Sequence, residues 1–134
     1  MILLDTHILV RYASGDKKLG KRALASIEGA LRTRALSVSA ISFWEIAMLV
    51  GKRKLRLSDT PMAFRTLVLQ QGIAEHPVDG ETGIRSAELS SMHADPADRI
   101  IVATAILSGA TLVTSDTQIL SMKLAGLRTQ DGSV

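Results

Sequence analysis

Four carboxylates, Asp5, Glu45, Asp98 and Asp116, stand where apolar runs begin, break or end, and together they could hold a divalent cation. Asp5 directly follows Ile2-Leu3-Leu4, and Asp116 directly follows Thr111-Leu112-Val113-Thr114-Ser115. Glu45 is set among Ile41, Phe43, Trp44, Ile46, Ala47, Met48 and Leu49, while Asp95-Pro96-Ala97-Asp98 precedes the apolar run that starts at Ile100. Each has a local explanation. Aspartate accepts a hydrogen bond from a free backbone N–H at a helix start, so Asp5, Asp95 and Asp116 read as caps. Ser42-Phe43-Trp44-Glu45 has the S-x-x-E form of a capping box, and an acid in the first turn, as at Asp98, suits the helix dipole. Against this, an ionised Glu45 in a helix apolar on nearly every side is costly unless paired. Acids converging on one place would raise one another's pKa values or recruit cations. A hard ion is the simplest answer: magnesium or manganese suits all-oxygen ligands, whereas zinc would normally need His or Cys. The chain has no cysteine, and His7, His76 and His93 lack H-x-x-x-H spacing. The histidines are therefore read as surface or structural, with His7, two positions after Asp5, left open.

The elements that must position these acids follow from periodicity. Strands are predicted at 2–4, 36–39, 73–78 and 111–115, with an edge strand at 127–129. Helices are predicted at 7–13, 17–34, 41–50 with Gly51 ending it, 60–71 with Pro61 in the first turn, 80–89, 97–108 stopped by Gly109, and 116–120. Short apolar strands alternating with helices imply an α/β fold, a parallel sheet of four to five strands covered on both faces. Ligands in such sheets bind beyond the carboxyl ends of the strands, where strand order reverses. Asp5, Glu45 and Asp116 would line that edge because their helices follow strands directly. Asp98 joins them if its helix starts at the same edge.

The 134 residues fit one domain, 1–134, and 46% apolar with 22% charged residues exclude a disordered chain. Without cysteine there is no disulfide scaffold, cysteine nucleophile or thiolate metal site. No apolar run approaches the ~18 residues of a membrane span, and Met1 leads into Ile2-Leu3-Leu4-Asp5 without the basic start of an export signal, so a cytoplasmic location is expected. Residues 1–56 hold 11 of the 16 basic residues and four acids, a surplus of seven, whereas residues 57–134 hold five basic and nine acidic residues. The cluster Lys52-Arg53-Lys54 could contact a phosphate backbone or be an ordinary solvated helix end. Four aromatics (Tyr12, Phe43, Trp44, Phe64) are too few for an extended stacking platform. Phosphate contacts should dominate any nucleic-acid binding.

Four blocks carry a resemblance: Asp5-Thr6-His7-Ile8-Leu9-Val10, Ser42-Phe43-Trp44-Glu45-Ile46-Ala47, Asp95-Pro96-Ala97-Asp98-Arg99-Ile100-Ile101-Val102-Ala103 and Thr111-Leu112-Val113-Thr114-Ser115-Asp116. In order and spacing they resemble the motifs of PIN-domain ribonucleases, most closely VapC-type toxins of bacterial toxin-antitoxin modules. The resemblance implies an α/β/α sandwich, magnesium- or manganese-dependent cleavage of single-stranded RNA, homodimerisation and inhibition by a cognate antitoxin. It matches Asp5, Glu45, Asp98 and Asp116 to the acidic metal-binding set, and Thr6 and Thr114 to supporting hydroxyls. Asp95, in His93-Ala94-Asp95-Pro96-Ala97-Asp98-Arg99, matches an extra acid found in one subgroup, or else is only a cap. Two alternatives stand beside this reading. A PIN-like scaffold could bind RNA or a protein without turnover. A phospho-accepting receiver domain would need an acidic pair after the first strand, where Asp5 stands alone before Thr6.

Overall fold

The first apolar run is buried on both faces because its neighbours in the sheet are parallel strands and helices cover both sides. In the computed structural model, which describes residues 1–90 and 95–134, β1 (Ile2–Leu4) lies at the centre of a five-stranded sheet. Its neighbours are β2 (Leu36–Ser39) and β4 (Thr111–Thr114), with β3 (Ala74–His76) and β5 (Arg128–Asp131) at the edges, giving the order β3-β2-β1-β4-β5. All four pairings are parallel. In register, Leu4 lies beside Val38 and Val113, and Leu3 beside Ser37 and Leu112.

Side chains alternate across the sheet, so one strand feeds two cores. Leu4, Val38 and Val113 pack with Ile8 and Leu9 of α1 (Thr6–Ser14), Ile27 of α2 (Lys21–Arg32), Ile46 of α3 (Ala40–Gly51) and Val68 of α4 (Pro61–Gln70). Leu3 and Leu112 face the other way, onto Ile101, Val102 and Ala105 of α6 (Pro96–Ser108) and Ile119 of α7 (Thr117–Leu120). Between β3 and α6 lies α5 (Gly80–Ala87), which packs on α6. This is the α/β/α sandwich expected from the sequence, with the parallel sheet at the upper end of the expected strand number.

Strand order runs outward from β1 to β3 on one side and from β4 to β5 on the other, so the reversal falls between β1 and β4. Asp5 and Ser115 are the residues that leave those two strands at their carboxyl ends. The site predicted at a switch point therefore has a definite place.

Three local expectations are corrected. The helix expected over 17–34 spans Lys21–Arg32: the Asp16 carboxylate accepts the Lys18 N–H at 2.8 Å and turns the chain, and Gly20 is the N-cap. At its far end Arg34 takes φ 56°, outside the helical region. The strand expected over 73–78 is confined to Ala74–His76, since Pro77 has no N–H to pair. The S-x-x-E box does not form either. Ser39 caps α3 by accepting the Ile41 N–H at 3.2 Å, which places Ser42 in the first turn and Glu45 in the second. Elsewhere the ends agree closely, with Asp95 capping α6, Pro96 in its first turn and Gly109 closing it at φ 70°. No described helix is long and apolar enough to cross a membrane.

Candidate metal centre

Asp5 is the most constrained of the acids. Its side chain is 5% exposed, and both oxygens are engaged: Oδ1 accepts the Thr6 N–H at 2.8 Å, and Oδ2 accepts the Thr114 hydroxyl at 2.6 Å. Thr114 Oγ1 in turn accepts the Asp116 N–H at 3.0 Å. One hydroxyl thus ties the end of β1 to the turn after β4. Asp116 caps α7, accepting from Gln118 N–H at 2.8 Å and Ile119 N–H at 3.3 Å. The Thr6 hydroxyl donates to Ser42 Oγ at 2.9 Å, which links α1 to the first turn of α3. The two supporting threonines therefore join separate elements around the carboxylates.

Glu45, Asp95 and Asp98 form the tight group. Each offers a carboxylate oxygen, and these atoms lie within 4.8 Å of one another. α6 accordingly does begin at the carboxyl edge, as the placement of Asp98 required. Asp95 does two things at once: its Oδ1 accepts from Ala97 N–H at 3.0 Å and Asp98 N–H at 3.3 Å as a cap, and it still stands in the acidic group. Asp5 and Asp116 are close enough to repel Asp98 without belonging to that tight trio.

The electrostatics follow from crowding in a half-buried place. Burial, then repulsion from Asp5, Asp95, Glu45 and Asp116 in that order, pushes the Asp98 carboxyl up to about 7. Burial is also the largest cause raising Glu45, with Asp5 and Asp95 adding to it. The nearby Thr6 hydroxyl works against the rise, though its proton is directed at Ser42. Glu45 Oε1 is buried and has no hydrogen-bond partner among the described residues. A buried carboxylate oxygen without a hydrogen-bond partner in a group of acids is a place that a cation would fit. The donor set of the group is all oxygen, which suits a hard divalent cation.

His7, whose role the sequence left open, and Arg11, which no sequence pattern singled out, lie on one face of α1. His7 and Arg11 are four apart, hence neighbours on the helix surface. Both reach Ser115, the residue after β4. His7 Nε2 accepts the Ser115 N–H at 3.0 Å and lies 2.7 Å from its hydroxyl, while Arg11 donates to Ser115 Oγ at 3.0 Å. Since Nε2 accepts a backbone N–H, the imidazole proton sits on Nδ1, 3.5 Å from Asp5 Oδ2. Burial is the main cause lowering the His7 pKa, opposed by Asp5 and aided by Arg11. His7 is thus a neutral strut between Asp5 and the β4 turn. His76, on edge strand β3, is apart from this network, and His93 lies outside the described residues. Lys52, Arg53 and Lys54 are all exposed just past the end of α3. They begin seven residues beyond Glu45, about 10 Å along the helix axis, so they are not part of the carboxylate group.

The PIN domain family matches residues 2–123. Ribonuclease VapC22 of Mycobacterium tuberculosis is 35% identical over 127 residues, covering 90% of this chain and 90% of that protein. A chain of the VapBC2 structure from Rickettsia felis, bound to a DNA fragment from the promoter, shares the fold at TM-score 0.70 and 18% identity, covering 97% of this chain and 98% of that one. A chain of DNA-bound VapBC from Salmonella typhimurium does so at TM-score 0.68 and 18% identity, covering 97% and 96%. With the family matched from β1 through the turn that follows α7, and the acids of all four blocks gathered at one edge, the chain belongs to the PIN-domain family.

Proposed function

We propose that this protein is a magnesium- or manganese-dependent endoribonuclease that hydrolyses phosphodiester bonds of single-stranded RNA, and that it acts in the cytoplasm as the toxin of a toxin-antitoxin pair. The observation that carries this reading is the meeting of Glu45, Asp95 and Asp98 around a buried Glu45 oxygen without a partner, at the switch point of a PIN fold. Glu45, Asp98 and Asp95 would hold the ion, with Asp5 and Asp116 completing the anionic wall directly or through water. A divalent ion there supplies charge stabilisation of the phosphoryl oxygens and a water nucleophile available at neutral pH. The protein's own part is placement and proton handling. Thr114 fixes one oxygen of Asp5 and the backbone of Asp116, and Thr6 and Ser42 fix the approach of α1 to α3. A carboxylate of the wall not engaged with the ion is placed to take a proton from the attacking water. No nucleophile from the protein is required.

Cleavage of an unstructured RNA by the purified chain should therefore stop on chelation with EDTA and return with excess magnesium or manganese. RNA that is bound but never cut with any divalent ion would favour the scaffold reading instead. For substrate binding, the exposed Lys52, Arg53 and Lys54 are proposed as phosphate contacts. Reversing their charge should weaken RNA binding across sequences and flatten its salt dependence by about 0.7 in the log–log slope per lost contact. A wild-type slope in the variant returns the cluster to an ordinary helix end.

The proposed partners follow from the same charges. A centre that attracts a metal ion also attracts a guanidinium, which binds carboxylates in bidentate fashion, so the antitoxin is expected to insert an Arg or Lys toward Asp5, Glu45, Asp98 and Asp116. Expression alone should arrest growth, and co-expression of the antitoxin should restore it. Unimpaired growth with active protein would remove the toxin assignment while leaving the nuclease. A second copy of the chain is proposed to cover the apolar outer face of α3, where Trp44 is 51% exposed and Ala47 is also exposed. Sedimentation of wild type and Trp44→Glu should then show a dimer and a monomer; two monomers would reject the homodimer.

A further inference from the structure

Arg11 is an arginine whose guanidinium is held by a neutral acceptor, the hydroxyl of Ser115, beside the carboxylate edge. A purely structural arginine is represented by Arg65, whose guanidinium forms a two-pronged pair with Glu75 at 2.8 and 2.9 Å. Among the described residues Arg11 takes part in no ion pair; its guanidinium donates to a neutral acceptor, Ser115 Oγ. It sits in the second half of α1, and long helical side chains point back toward the helix N-terminus, so the group reaches toward the sheet edge that bears Asp5 and Asp116.

The hydrogen bonds around it have fixed directions. Ser115 Oγ accepts from Arg11, so its own proton goes to His7 Nε2, which also receives the Ser115 N–H. His7 Nδ1–H then faces Asp5 Oδ2. Ser115 and His7 thereby link Arg11 to Asp5, and among the described residues Ser115 is the hydrogen-bond partner of its guanidinium. A carboxylate wall repels a polyanionic substrate, and an ion bound there answers one phosphate only. A preset cation at the rim answers the next one.

Resting on the ribonuclease reading above, we propose that Arg11 binds the backbone phosphate adjacent to the scissile phosphodiester, with Ser115 as the residue that positions it. A guanidinium matches two phosphate oxygens at once, which a lysine ammonium cannot do. The site is thus a substrate-binding rim, distinct from the metal ligands and from the exposed cluster at Lys52.

The test compares wild type, Arg11→Gln and Arg11→Lys as full chains on a short single-stranded RNA with magnesium, measuring KM, kcat, the salt dependence of RNA binding and thermal stability. Arg11→Gln should raise KM by about tenfold or more with a much smaller change in kcat, and lower the log–log salt slope by about 0.7. Arg11→Lys should recover the salt slope but only part of the affinity, because the charge is restored without the fork. Wild-type cleavage with an unchanged KM and salt slope in Arg11→Gln overturns this assignment alone. Equal impairment of both variants accompanied by a lowered Tm also overturns it, and identifies Arg11 as a strut for Ser115. A wild type that cuts no RNA overturns the ribonuclease reading and this assignment with it.

Discussion

Asp98→Asn should reduce RNA cleavage by more than about a hundredfold at saturating magnesium without lowering the thermal stability of the metal-free protein. Partners that merely orient metal ligands cost about 10- to 100-fold when lost, and Asp98 is proposed as a ligand itself. The substitution keeps the side-chain shape and removes the charge. In the absence of metal that charge is a burden: Asp5, Asp95, Glu45 and Asp116 all repel it in a half-buried site. Losing it removes that repulsion from Asp5, Asp95, Glu45 and Asp116. Stability at neutral pH should hold or rise while activity disappears, a combination that separates a chemical role from a structural one. Both effects are read on one preparation, by cleavage kinetics and by thermal unfolding followed by circular dichroism. Full activity in a folded Asp98→Asn protein would falsify the assignment of this carboxylate to the reaction.

The acids were legible in the sequence because each is announced locally. A short apolar run ending in Asp and followed by a helical pattern marks Asp5 and Asp116, and Asp-Pro before an apolar helix marks Asp95 and Asp98. Chain geometry then does the rest, since consecutive parallel strands deliver their carboxyl ends to one edge. Glu45 was legible for a different reason: an ionisable group in an apolar helix needs a partner. What local pattern could not decide was the phase of α3. Ser39 and Ser42 both lie at helix-start positions, and S-x-x-E favours Ser42. The fold chooses Ser39 because Ser42 is buried as the acceptor of the Thr6 hydroxyl, a contact between residues 36 positions apart.

The network of His7, Arg11 and Ser115 was hidden for the same reason. Its bonds span 104 and 108 residues, and no local spacing announces them. Only the spacing of four between His7 and Arg11 on α1 carried a hint, and it gains meaning once β4 is known to lie beside β1. Asp95 shows a further limit of sequence patterns. Cap and cluster member were set against each other as alternatives, yet a carboxylate has two oxygens, and one can cap α6 while the residue stands with Glu45 and Asp98.

Unfolding of the metal-free protein should depend on pH in a direction opposite to that of most carboxylate-bearing folds. A group whose folded pKa is raised contributes stability that is fully present below its unfolded pKa and is lost as pH rises through the folded value. For Asp98 that window runs from its ordinary 3.8 to about 7, and Glu45 is raised in the same sense. His7 acts the other way: its lowered pKa contributes stability above the ordinary 6.5 that is lost on acidification through the lower folded value. Above pH 6.5 the His7 contribution is complete while the Asp98 loss continues to about 7, so Tm without metal should fall between pH 6.5 and 8. Magnesium reverses the sign of the local field and favours the ionised carboxylates, so its stabilising effect should be greater at pH 8 than at pH 6. At 100 times Kd, binding is worth about 2.7 kcal/mol, or roughly 10 °C for a domain of this size. In Asp98→Asn both the slope between pH 6.5 and 8 and the magnesium shift should shrink together, because one group underlies both. A metal-free Tm that climbs from pH 6.5 to 8, or a magnesium shift of equal size in the variant, would show that these carboxylates neither strain the empty site nor hold the ion.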